Sequence, residues 1–145
     1  MSAWKKAVVA GVGWTQAAGG TAFLAAPDRF LSEMGVSIPE GSEWARWFGW
    51  IYGVRGLAWG GGLLWAATDL ERRRSWVAAE AAIQAGDAVL TTIAYRKGWL
   101  PKKWALPVMI GAAVEAAALL AVLVLPERES EATVAELRPE LRSAG

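Results

Sequence analysis

Apolar positions gather into four stretches, each about as long as a membrane is thick, and polar positions gather between them. The first stretch is expected at residues 5–26, and from Ala7 to Ala26 it carries no charge. The second, at 44–68, is interrupted after Trp47 only by Arg55. The third, at 75–96, carries Glu80 and Asp87, and the fourth, at 104–125, carries Glu115. A helix of about 20 residues rises about 30 Å, the depth of a hydrocarbon core. Backbone polar groups in lipid must be satisfied within their own segment, so stretches of this length read as helices. The expected fold class is all-α: an integral membrane bundle of four transmembrane helices with a short interfacial segment and a polar C-terminal tail.

The third stretch is the most polar. Glu80, Gln84, Asp87 and Thr91 follow one another at intervals of four, three and four, which places them on one helical face. A narrow polar stripe between apolar flanks suits the interior of a bundle. A soluble amphipathic helix shares that pattern, but the other three stretches are apolar nearly all round, which soluble helices rarely are.

The connections are distinct in character. Residues 27–43 form the longest, in which Pro27 to Leu31 is expected to begin an interfacial helix with Phe30, Leu31 and Met34 as its apolar side. Pro39-Glu40-Gly41 breaks it, and Ser42 is a suitable N-cap for the second span with Glu43 in its first turn. The second loop follows Glu71 with Arg72, Arg73 and Arg74; the third holds Arg96, Lys97, Lys102 and Lys103. After Pro126 the composition turns to Glu and Arg, so residues 127–145 read as a flexible polar tail and 1–126 as one transmembrane domain. Lys5 and Lys6 before the first apolar run resemble the start of a signal peptide. Trp14-Thr15-Gln16 interrupts that run and Pro27 would follow the cut, so a retained helix is expected. The positive-inside rule favours Lys5, Lys6 and the Arg72 to Arg74 run in the cytoplasm, giving a multi-pass protein of the inner (plasma) membrane with both termini cytoplasmic. The third loop, with four positive residues, then lies outside, against the same rule.

Composition narrows the chemistry. There is no Cys and no His, which removes thiol chemistry, disulfides, haem ligation by His and most zinc or copper sites. Paired acidic motifs are absent as well, so no metal and no cofactor are expected. A net charge of +1, with basic residues confined to short loops, gives no footprint for nucleic acid. Of ten tryptophans, Trp4, Trp44, Trp47, Trp65, Trp76, Trp99 and Trp104 flank the spans in the manner of an aromatic belt. Trp14 and Trp59 lie deeper, where they either pack or wall a pocket. Gly49 and Gly53, then Gly56 and Gly60, have small-xxx-small spacing, and Gly13, Ala17 and Gly20 share a face of the first span. These faces could meet within the bundle or between protomers.

Arg55, Asp87 and Glu115 each fall near the middle of a span, and an antiparallel bundle brings them to one depth. Glu80 lies two turns, about 10 Å, from Asp87. Charges in a bilayer core are costly and mostly face a partner, a cavity or a water path. With Arg55 assigned to one carboxyl, another is left without a cation in the spans. Loss of water favours the protonated form of such a group, which makes it a proton donor in an apolar pocket. The candidate catalytic residues are Asp87, Glu115, Arg55 and Glu80, and the candidate pocket residues are Trp59, Tyr52, Gln84, Thr91 and Trp14. The competing account of the same residues is a polar network that pins helix register.

The runs Ala26-Pro27-Asp28-Arg29-Phe30, Val54-Arg55-Gly56-Leu57 and Gly86-Asp87 resemble those of small bacterial four-helix membrane proteins, the broad DoxX-like group and its neighbours of unknown function. The resemblance covers roughly residues 5–125. It implies a four-helix membrane bundle, and no catalytic residue carries over from it. Three functions fit: binding or acid chemistry on an apolar small molecule, a non-catalytic subunit of a larger membrane complex, and a proton-coupled transporter or channel. The expected partners are membrane lipid, an apolar small-molecule ligand, and a homo-oligomer or larger membrane complex, with no nucleic acid.

Overall fold

The computed structural model describes residues 2–33 and 43–126, and within them the chain is all-helical. Helix α1 spans Ala3–Ala25, α2 Pro27–Glu33, α3 Glu43–Thr68, α4 Arg74–Arg96 and α5 Lys102–Val124. The segment expected at the interface is a short helix, with Pro27 at its first position, where the missing N–H costs nothing. Glu43 stands in the first turn of α3, as expected. Met34, the break at Pro39-Glu40-Gly41, the Ser42 cap and the 127–145 tail lie outside the described residues.

By length and composition, α5 is the one described helix long and apolar enough to cross a membrane. The stripe of α4 lowers its hydropathy, and so do the glycines, tryptophans and lone polar residues of α1 and α3. These properties support one crossing, where the sequence pattern leads to an expectation of four.

The long helices form two pairs, α1 with α3 and α4 with α5; the pairs touch more sparsely, α1 on α5 and α3 on α4. Glycine makes the first pair. A Cβ at Gly60 would lie 2.5 Å from the backbone nitrogen of Ala17, and one at Gly20 would lie 2.7 Å from the carbonyl oxygen of Gly53. One at Gly56 would lie 2.8 Å from the Cα of Gly20. The two glycine faces therefore meet each other inside one chain, backbone against backbone. Gly49 seats Pro27 and Leu31, which holds α2 on α3.

The apolar core is a layer at one end of the bundle. Val9 and Val12 of α1, Leu63 and Ala66 of α3, Leu70, Val77 and Ala81 around the start of α4, and Leu119 and Val122 of α5 form it. Basic residues close that end. Lys5 donates from Nζ to the Leu125 carbonyl at 2.6 Å, and Arg74 donates to that of Leu123. Arg73 donates to the Trp65 carbonyl at 2.7 Å and lies 4.0 Å from the Trp65 ring centroid. The last carbonyls of a helix lack intrahelical partners and carry its negative dipole end, so cations gather there.

The belt expectation fails for Trp76. Its indole turns inward onto Gly62, 5.0 Å from the ring of Trp59, because glycine leaves the room that another residue would fill. Elsewhere large apolar side chains face out: Leu90 is 64% exposed and Val114 62%, while Glu80 is 1% exposed.

Candidate functional site

Between the two helix pairs lies a partly open cavity of about 260 Å³. All four long helices wall it. From α4 come Glu80, Gln84 and Asp87, the stripe whose spacing keeps it on one face. From α3 come Arg55 with Tyr52 three residues before it and Trp59 four after. Helix α5 supplies Pro107, Gly111 and Glu115, four residues apart on one face, and α1 supplies Thr15, Gln16, Gly19 and Phe23. A Cβ at Gly19 or Gly111 would meet nothing within 4 Å, so at both positions the small residue leaves volume open.

Polar bonds cross the gap between the pairs. Arg55 donates from Nη2 to Asp87 Oδ2 at 2.8 Å, with both side chains about one-third exposed (36%). The Arg55 guanidinium also lies 5.9 Å from the Tyr52 ring centroid, within cation–π range. Gln16 donates from Nε2 to Glu115 Oε2 at 2.6 Å, joining α1 to α5. Within α4, Gln84 donates to Glu80 Oε1 at 2.7 Å. The other oxygen, Glu80 Oε2, is buried without a hydrogen-bond partner among the described residues. An orphaned buried polar atom costs about 1–3 kcal/mol, so its persistence calls for an explanation.

Arg55, Asp87, Glu115 and Glu80 thus reach one cavity, together with Trp59, Tyr52 and Gln84. Two expected pocket residues do not. Trp14 is 66% exposed and points off the bundle; it stands two residues, more than half a turn, from the inward-facing Gln16. Thr91 is buried on the stripe, but it lies one turn beyond Asp87 and past the cavity wall. Gln16 and Phe23 were not among the sequence candidates. Gln16 had a signal, as the one amide side chain in the first stretch, where an interhelical hydrogen bond is its natural use. Among the described residues, no three carboxylates come together as a metal site. Comparison with protein-family models, curated proteins and solved structures found no match, so the resemblance to DoxX-like proteins is neither supported nor opposed.

Proposed function

We propose that this protein is a four-span membrane protein whose mid-bundle cavity binds an apolar small molecule and acts on it as an acid. The observation that carries the reading is the gathering of all four mid-helix ionisable residues on one cavity with Phe23, Tyr52 and Trp59 as its aromatic wall. Its volume lies just under the roughly 300–1,000 Å³ of drug-sized sites, which suits a small ring or the head of a longer lipid. Glu80 is the acid: Gln84 holds Oε1, and a proton on Oε2 turns the orphaned acceptor into a donor. The Arg55–Asp87 and Gln16–Glu115 bonds hold the walls in register.

Four crossings are supported by the inverted surface. Val54, Leu90, Ile110 and Val114 are all more than half exposed while Glu80 and Gln84 are buried, a costly arrangement in water and a favourable one in lipid. Lys5, Arg73, Arg74 and Leu125 gather at one end, and the positive-inside rule then favours a cytoplasmic position for that end and both termini. Binding is favoured over conduction by the apolar layer. In α1, α3 and α5 its residues lie on the basic-end side of the cavity residues, and in α4 Val77 does while Ala81 packs beside Glu80, so the polar path stops there.

The test is purification in native lipid followed by mass spectrometry of what is retained. A single small molecule at near-stoichiometric amount is expected, and it should vanish in Gly111→Phe, which fills the cavity from a position with open space. Retention unchanged in that variant, or no retained molecule, would overturn the reading. Topology has its own check, helped by the absence of native cysteine. Arg72→Cys should label only in permeabilised cells and Lys97→Cys in intact ones.

A further inference from the structure

The cavity is built for more than an apolar shape. It holds three carboxyls against one guanidinium, and that guanidinium is already paired with Asp87. Glu115 receives a proton donor from Gln16, and Glu80 Oε1 receives one from Gln84. The remaining deficit is specific: one oxygen, Glu80 Oε2, on a side chain 1% exposed, with no donor among the described residues. What this oxygen lacks is an N–H or O–H group, and the cavity wall includes the indole of Trp59. The face of an indole attracts a cation most strongly where water is excluded, whereas the Tyr52 ring already lies beside the Arg55 guanidinium.

We propose that the ligand is a lipid-soluble amine, whose ammonium group takes the place of the proton on Glu80 Oε2 and lies against Trp59. This rests on the reading of the cavity as an apolar-ligand site, names the ligand's polar group, and limits the acid role of Glu80 to giving up its proton as the amine binds. The balance is simple. The O–H bond of the Glu80 carboxyl breaks, its proton leaves to water, and the freed carboxylate oxygen accepts an N–H of the ammonium. A neutral amine arriving from the lipid phase reaches the same state by taking that proton directly onto nitrogen. The charged groups around Glu80 are Arg55 from α3, Asp87 on α4 and Glu115 from α5; α1 contributes only neutral Gln16 and Thr15. Arg55 is 2.8 Å from Asp87 and belongs to that pair, so the incoming cation has no like charge left uncompensated beside it.

The experiment is calorimetric titration of the full-length protein in lipid nanodiscs with naphthylmethylamine, and with naphthylmethanol as its neutral counterpart. Two buffers of different ionisation enthalpy report the proton count. The amine should bind about tenfold or more tightly than the alcohol and release about one proton per molecule bound at neutral pH. Glu80→Gln should abolish that release and weaken the amine at least to the level of the alcohol, while Asp28→Asn, far from the cavity, changes neither. If Glu80→Gln does not purify, the wild-type proton count and Trp59→Leu decide, the latter weakening the amine more than the alcohol. Equal binding of both probes without proton release overturns the amine assignment and leaves the apolar-ligand reading standing. If neither probe binds while Gly111→Phe still strips a retained molecule, the amine assignment falls alone; if nothing is retained either, both fall.

Discussion

Along the α1–α3 seam backbone meets backbone: Gly13, Ala17 and Gly20 lie against Gly53, Gly56 and Gly60 with no room for another carbon. Between the two helix pairs the opposite holds. Arg55, Glu80, Asp87 and Glu115 line a cavity of about 260 Å³ there. The first seam is held by dispersion between many close atoms. The second is held by a few polar bonds at chosen points, Arg55 to Asp87 and Gln16 to Glu115. Densely packed pairs joined by a sparser, polar seam leave the cavity between them. The apolar layer at the basic end is what keeps that seam from parting altogether.

The sharpest way to break this contrast is a side chain in the glycine seam. Gly60→Val drives atoms into the backbone of α1 and should cost about 3 kcal/mol, the upper end for overpacking. Gly61→Ala, its neighbour, faces open space and should cost nothing, gaining up to ~1 kcal/mol of helix propensity. Thermal unfolding in one detergent compares them, and equal midpoints would show that α1 and α3 do not pack through their glycines.

The polar seam should answer to pairing instead of volume. Arg55→Met leaves Asp87 without its donor and should cost about 1–2 kcal/mol, less than in a fully buried pair because both side chains are one-third exposed (36%). Asp87→Leu added to it should recover part of the loss, giving a coupling of about 1 kcal/mol in a double-mutant cycle. Additive losses would mean that the ion pair does not hold the seam.

A smaller effect is expected outside both seams, between α2 and α3. Arg46 donates from Nη2 to Asp28 Oδ2 at 2.8 Å, and this bond holds the Asp28 carboxyl below its ordinary range. A carboxyl depressed in the folded state contributes stability that is present above the ordinary aspartate value of about 3.9 and lost as pH falls through the lower folded value. The pair is exposed, so only a slight drop in unfolding midpoint is expected there. It should be absent in Asp28→Asn; a drop of the same size in that variant would assign it to other groups.

Much of this arrangement is legible in the sequence because it depends on one helix at a time. Runs of apolar residues set four long helices whose ends fall within two residues of those expected. A period of 3.6 residues per turn is enough to put Glu80, Gln84 and Asp87 on one face, and Gly56 with Gly60 on another. What no single helix could decide was which faces meet. The glycine face of α3 could have served a second protomer, and the tertiary structure gives it to α1. Trp14 and Trp59 are equivalent by depth and composition, and only the rotation of α1 sends one outward while α3 turns the other into the cavity. Arg55 had three carboxyls to choose from, and the approach of α3 to α4 gives it Asp87, leaving Glu115 to Gln16 and Glu80 Oε2 to no group in the described chain. Local periodicity is written in residue order, whereas the rotation of each helix about its axis is settled by packing against all its neighbours at once.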